Sequence, residues 1–335
     1  MYPVRQNWSH PSNILMISLI FILFSITGCT SSSKPLQPLT PVTIQLAWVH
    51  QAEFSGLYAA DQKGYYADEG LKVTFIEGGP NIGKISPILD GVAKFGITSP
   101  DELILARADG KPVKAVATIF RRSPVVFISL ADKGITRPQD FAGKTIRAPS
   151  NILPTLHAMM YKINISPDQY STADLPLDVA MFASGDVPVW GVLINIFVVS
   201  VMQEGYKINI IYPDDYGIHF ASDSLFSTDE LINSNPDLVL RFVRASLKGW
   251  SFAVENPAEI PAIVQKFAPD SDPVIELARM NTTIPLVNTG EDHIGWMKTE
   301  TWMTTEETLR KYGVLTKSVD VTQVYSMQFL DEIYK

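Results

Sequence analysis

Apolar and polar positions along this 335-residue chain change rhythm several times. From Ile14 to Ile26 nearly every residue is apolar, with Ser18 and Ser25 the only interruptions. From Val42 to Trp48 apolar and polar residues alternate, as a half-buried strand requires. A helix is predicted over Ser55–Tyr66, then a strand over Leu71–Ile76 once Gly70 has closed it. Further helices are predicted near 85–91 and 101–109, with strands at 94–98, 113–119 and 125–130. The pattern then restarts: helices at 154–162 and 177–184, a strand near Val189, a helix at 195–204 and a strand at 207–212. From Thr228 onward the signals are helical: 235–255, 257–267, 273–280 and 301–312. Asn235-Pro236 and Asn256-Pro257 place a capping Asn before a Pro at the first helical position.

Strand–helix alternation implies an α/β body with parallel, helix-covered sheets. The restart implies two lobes, with residues 42–125 and a return over 223–335 in the first and 126–222 in the second. In such folds the ligand sits in the cleft between lobes, at the carboxyl ends of strands and the amino ends of helices.

The apolar run near the start is thirteen residues long, about 20 Å as a helix and short of the ~30 Å hydrocarbon core. With Arg5 before it and Ile26-Thr27-Gly28-Cys29 after it, residues 1–28 read as a lipoprotein signal peptide, and Cys29 as the lipid attachment site. Residues 29–41 have the Ser- and Pro-rich composition of a flexible linker. Val187–Met202 also lacks charge, but its sixteen residues include Pro188 and Asn195. It reads as a buried strand and then a buried helix, with the break near Gly191.

Composition narrows the function. Hydrophobic residues are 46% and charged residues 19%, as expected of a folded body. The net charge of −8, with basic residues scattered, excludes the concentrated basic face that nucleic acids need. One cysteine and five dispersed histidines (10, 50, 157, 219 and 293) show no metal-ligand spacing. No phosphate loop or nucleophile elbow is present. No metal, cofactor or catalytic residue is expected.

Three places look like pocket material. Trp48 to Tyr58 offers aromatics and a carboxylate where a strand hands over to a helix. Trp48, Phe54 and Tyr58 could stack on a flat ring while Glu53 accepts its N–H groups, or Tyr58 could belong to the core. Gly78-Gly79 permits close backbone approach to a ligand, or a plain turn. Ser99-Pro100-Asp101 opens a helix, where Ser99 and Asp101 meet a polar ligand atom or Ser99 simply caps. Arg121-Arg122-Ser123-Pro124 falls at the lobe crossing and suits either a clamp or solvated charge.

Together these motifs resemble the solute-binding proteins related to thiamine-pyrimidine biosynthesis proteins. The residues that carry the likeness are Ala52-Glu53-Phe54-Ser55-Gly56-Leu57-Tyr58, Lys63-Gly64-Tyr65-Tyr66 and Glu77-Gly78-Gly79-Pro80. It continues through Asp140-Phe141-Ala142-Gly143-Lys144, Tyr216-Gly217, Ala245-Ser246-Leu247-Lys248-Gly249-Trp250 and Ile294-Gly295-Trp296-Met297. The resemblance implies a type II periplasmic-binding-protein fold and an ABC-transporter permease as partner, while the Cys29 motif implies a lipid-anchored place on the extracytoplasmic face of the cell membrane. Two ligand branches compete. One takes thiamine-related aminopyrimidines. The other takes riboflavin, and the run from Ala106 to Leu130 favours it. On that reading Trp48, Phe54 and Tyr58 hold the ring, with Glu53, Asn195 and Tyr216 as polar partners and Ser123 at the crossing. Fungal relatives that are pyrimidine synthases carry a cysteine-rich motif, which this chain lacks. Relatives often show Gly-x-x-Asp-Ala and Asn-Glu-Pro, where this chain has Gly185-Asp186-Val187-Pro188-Val189 and Asn195-Ile196-Phe197. That departure implies a less polar ligand face in the second lobe.

Overall fold

The computed structural model describes residues 38–79 and 82–335, which form two helix-flanked five-stranded sheets. Cys29, with the signal-peptide reading around it, lies outside the described residues. The first sheet takes β1 (Thr40–Gln45), β2 (Leu71–Ile76), β3 (Phe95–Thr98) and β4 (Val113–Thr118). The second takes β5 (Val125–Leu130), β6 (Thr145–Arg147), β7 (Ser171–Ala173), β8 (Val189–Leu193) and β9 (Ile208–Ile211). The chain then returns to the first sheet as β10 (Ser224–Thr228), giving the orders β2-β1-β3-β10-β4 and β7-β6-β8-β5-β9.

The helices of the first lobe's opening half are α1 (Ser55–Gln62), α2 (Tyr65–Asp68), α3 (Ser86–Leu89) and α4 (Pro100–Ala108). The second lobe has α5 (Leu153–Lys162), α6 (Val179–Ser184) and α7 (Val199–Gln203), the last preceded by a π-helical segment over Ile194–Val198. After β10 come α8 (Asp229–Ser234), α9 (Pro236–Glu255), α10 (Ile260–Val264), α11 (Pro273–Val287), α12 (Thr299–Lys311) and α13 (Gln328–Ile333).

The strand–helix rhythm holds, but the sheets are mixed where parallel ones were expected. β10 pairs antiparallel with both β3 and β4, and β5 pairs antiparallel with β8 and β9. The cause is connectivity: the chain enters the second lobe on β5 and leaves it on β9, so these neighbours run opposite ways. β6, β7 and β10 escaped the sequence because three to five residues carry too little periodicity to read. The expected break at Gly191 is absent, and β8 runs through it to Leu193. Gly191 is there for packing, since a Cβ would lie 2.7 Å from Ile152 Cγ2 and 3.0 Å from the Arg147 carbonyl. α11 also outruns its expected end at Met280 by seven residues, passing through Pro285. Among the described residues no helix is long and apolar enough to cross a membrane.

β5 shows why some strands read as unbroken apolar runs. Val125 and Phe127 pack into a core with Phe141, Ile146 and Met160, beneath α5. Val126 and Ile128 point the other way, into a core with Phe182, Trp190 and Phe197. Both faces are covered, so alternation disappears. The first lobe has one large core, in which α1 crosses α9 through small residues. Gly56 lies against Trp250, and Gly249 against the Gly56 carbonyl.

A Cβ on Gly249 would sit 2.1 Å from the Gly56 carbonyl oxygen, a backbone atom that no side-chain rotation can move. Gly249→Ala is therefore expected to destabilise the protein by about 1–3 kcal/mol, the usual cost of overpacking, despite alanine's better helix propensity. Urea unfolding checks this; an unchanged or higher midpoint would refute the crossing.

Candidate ligand-binding site

Two stretches pass between the lobes, 119–124 and 212–223, and they pair with each other. Ile119 N and Phe120 N donate to the Asp223 carbonyl at 2.7 and 3.2 Å. Ser222 N donates to Phe120 O, and Ser123 N to Phe220 O, both at 2.8 Å. At their root Thr118 Oγ1 and Ser224 Oγ share a hydrogen bond of 2.9 Å. The carboxyl ends of β3 and β8 meet this crossing, where Thr98 pairs with Ser224 and Ile194 N donates to the Pro124 carbonyl.

After β1 the chain makes a short 3-10 turn over Ala52–Phe54 before α1 begins. Its free Ala52 N–H donates to Glu276 Oε2 of α11 at 2.6 Å. The turn buries Glu53, whose Oε2 accepts a 2.6 Å hydrogen bond from Gln51 Nε2. Burial first, and the neighbouring Asp223 carboxyl next, hold Glu53 well above the ordinary carboxylate value. Burial raises Asp223 as well, while a hydrogen bond from Glu53 and the nearby Lys84 work against that rise. Both shifts favour the protonated carboxyl, more strongly at Glu53, which places Glu53 on the donor side of its contact with Asp223. Burial works to depress Lys84, but its 2.8 Å pairing with Glu102, with Asp223 and Asp101 nearby, outweighs burial and holds it above its ordinary value. Thr98 also donates to Glu102.

The remaining sequence candidates fall in several settings. Trp48 is half-buried, and its carbonyl accepts from Gly78 N at 3.0 Å. Phe54 and Tyr58 are in the core. Tyr58 stacks on Phe267 at 4.2 Å, meets Phe54 and Phe75 edge-on, and shares a 2.6 Å hydrogen bond with His50 Nδ1. Gly78 is small because a Cβ would lie 2.4 Å from the Leu46 carbonyl, whereas Gly79 faces open space beyond Ile82. Ser99 stands at the N-cap of α4 without capping it; its hydroxyl serves Asp101, whose pKa burial raises. Ser123 Oγ accepts from Val125 N at 3.2 Å. Asn195 is buried just past β8, where Ile194 N donates to the Pro124 carbonyl at 2.9 Å. Tyr216 is half-buried on the core under α5, apart from this group.

Arg121 and Arg122 face acids of the same chain. Arg121 pairs with Asp292 at 2.7 Å and Arg122 with Glu291 at 3.7 Å. Beside them is a cavity of about 340 Å³, lined by Thr118, His219, Phe220, Trp296 and Trp302 as well as the two arginines. Its size falls within the range of small-molecule pockets. Sequence reasoning missed Lys84, Asp223 and the α11 residues Glu276, Arg279 and Thr283, because single polar residues inside apolar periods carry no local signal. The one available cue was a carboxylate at 276 on an otherwise apolar helix face.

A family model described as NMT1/THI5 like matches residues 51–260. The riboflavin-binding protein RibY of Chloroflexus aurantiacus is 28% identical over 302 residues, 86% of each chain. A formylaminopyrimidine-binding protein of Halalkalibacterium halodurans is 29% identical over 65% of this chain and 68% of its own. A 4-amino-5-hydroxymethyl-2-methylpyrimidine phosphate synthase of Legionella pneumophila is 23% identical over 87% of this chain and 92% of its own. Among solved structures, the periplasmic aliphatic sulphonate binding protein SsuA of Escherichia coli superposes with a TM-score of 0.69 at 13% identity, covering 85% of this chain and 91% of that one. The fold is thus the two-lobed periplasmic-binding-protein fold.

The acid pair makes stability depend on pH with a definite sign. A carboxyl whose folded pKa is raised favours the folded state while it is protonated. That stabilisation fades as pH climbs from about 4.5 through the raised value. Glu53→Gln, which donates to Asp223 at any pH, is expected to raise the melting temperature relative to the unaltered protein, increasingly as pH rises through that window. A difference that is flat with pH would count against the shared proton.

Proposed function

The chain belongs to the NMT1/THI5-like family, and from that premise we propose that it is the substrate-binding lipoprotein of an ABC importer, with riboflavin as its ligand. The observation that carries this reading is the similarity to RibY across 86% of both chains, with no large part of either left over. The two-lobed fold supports it, since a ligand held at the crossing is released when the lobes part. The anchor at Cys29 would confine the body beside its permease, with several acyl chains supplying durable attachment.

Chemistry at the crossing supports an uncharged, hydrogen-bonding ligand. Glu53, Asp101, Glu102 and Asp223 stand around a single ammonium, Lys84, and both arginines of the crossing have acidic partners. An anion entering there meets acceptors and like charge, whereas a ring bearing N–H groups meets partners. Of the three aromatics expected to hold the ring, Trp48 alone is incompletely buried, which suits it for stacking. Phe54 and Tyr58 support it from the core.

An aminopyrimidine is the second reading, favoured by the formylaminopyrimidine-binding relative. It shares the same polar chemistry with a smaller ring. A synthase is a weaker reading, because the cysteine-rich motif of the fungal enzymes is missing and the only cysteine is Cys29.

Full-length protein titrated into riboflavin is expected to quench flavin fluorescence at micromolar concentration, and Trp48→Ala to weaken binding about tenfold, ~1.4 kcal/mol. No quenching, together with calorimetric binding of an aminopyrimidine, would transfer the assignment to the second branch. Turnover of either ligand would revive the enzyme.

A further inference from the structure

α11 forms a wall common to both lobes. Its buried face, Glu276, Met280, Thr283 and Val287, repeats at helical spacing. That face packs against the 52–54 turn of the first lobe and the 194–198 segment of the second. Glu276 is satisfied, since it accepts from Ala52 N and from Arg279 Nη1, each at 2.6 Å. At the other end of the helix the Leu286 carbonyl accepts from Arg121 N and Arg122 N, at 2.9 and 3.3 Å. Thr283 therefore sits one turn from the crossing, and Asn195 reaches the same crossing from the second lobe through Ile194 and Pro124.

Asn195 is 2% exposed and Thr283 0% exposed, yet among the described residues neither Asn195 Oδ1 nor Thr283 Oγ1 has a hydrogen-bond partner, a state shared by Arg279 Nε of the same helix. Buried polar atoms are nearly always paired, and an orphan calls for a reason. A helical Thr ordinarily satisfies its hydroxyl on the carbonyl four residues back, as Thr282 does on Ala278 at 2.8 Å. Thr283 does not, although it stands in the same helix. Two such groups come from opposite lobes, on elements packed together beside the crossing, and leave hydrogen-bonding capacity unmet on both sides of it.

We propose that Thr283 and Asn195 bind one edge of the ligand, a planar nitrogen heterocycle that presents a ring or exocyclic N–H beside an acceptor atom. A carboxamide offers one donor and one acceptor, and a hydroxyl can act as either, so such an edge satisfies both residues whichever way the amide is turned. A sulfonate group carries no N–H and would leave the acceptor unpaired. The assignment rests on the importer reading above and adds Thr283, from a helix that no motif pointed to, as a residue that selects the ligand.

The test compares Thr283→Val, which removes the hydroxyl at nearly constant volume, with Thr283→Ser, which keeps it, and with Asn195→Leu. The full-length proteins are examined with riboflavin and with 3-methylriboflavin, whose only ring N–H is blocked. Without ligand, Thr283→Val is expected to melt at the same temperature as the unaltered protein or above it, because no internal hydrogen bond is lost. Its affinity for riboflavin should fall at least tenfold, with Thr283→Ser restoring most of it. The unaltered protein should prefer riboflavin to 3-methylriboflavin at least tenfold, and Asn195→Leu should erase that preference. A lower ligand-free melting temperature for Thr283→Val, or an affinity it leaves unchanged, overturns the proposal and makes the hydroxyl structural. Equal binding of the two flavins overturns it as well. If the unaltered protein binds neither flavin, it is the riboflavin reading that fails. The same variants measured with 4-amino-5-hydroxymethyl-2-methylpyrimidine then decide the assignment, on the same ligand-free melting comparison.

Discussion

The pairing of the two crossing segments is the constraint from which the rest follows. Four backbone hydrogen bonds tie 119–123 to 220–223, and the Thr118–Ser224 pair closes their root. Because β10 sits between β3 and β4, the return crossing emerges from the middle of the first sheet and not from its edge. That placement carries Asp223 to the turn holding Glu53 and sets Ser123 and Pro124 against the end of β8.

Electrostatics at the crossing then divides by sign. The arginines sit on the segments themselves and are neutralised by Asp292 and Glu291, from a loop that closes back over them. At the carboxyls, burial raises both Glu53 and Asp223, and the charge of Asp223 raises Glu53 further. Glu276 takes a different solution to the same problem. Equally buried, it is held by Arg279 and by a backbone N–H from a residue more than two hundred positions away. Burial pushes one carboxyl toward its neutral form, while the other faces an arginine and a backbone N–H.

Much of this was legible in the sequence because it was periodic. β2 and β5 appear with their expected bounds, and α4, α5 and α9 within a residue, since alternation announces β2, an apolar run β5, a Pro in the first turn α4 and α5, and a capping Asn-Pro α9. What could not be read was set by distance. β10 is five residues long and makes sense only between β3 and β4. Thr283 looks like any threonine in an apolar helix until its neighbours are known. Tyr58 and Trp48 shared one motif and one expectation, yet Phe267, more than two hundred residues downstream, stacks on Tyr58 while Trp48 stays half-buried. Composition shows that an aromatic is present; only tertiary packing decides whether its face is free.

The distribution of polar groups also bears on how binding is coupled to motion. Glu53 and Thr283 belong to the first lobe's side of the crossing, Asn195 to the second's, and Asp223 to the crossing itself. A ligand that engages all of them stabilises one relative position of the lobes, and by linkage it binds that position more tightly than any other. The crossing hydrogen bonds lie within the segments and need not break as the lobes move. The elements that must shift are those packed across the gap, α11 against the 194–198 segment above all. That segment is π-helical, a conformation costly to form and frequent at functional sites. Its placement at the end of β8, with Asn195 Oδ1 unpaired among the described residues, sets the least regular backbone of the second lobe against α11, where the two lobes meet.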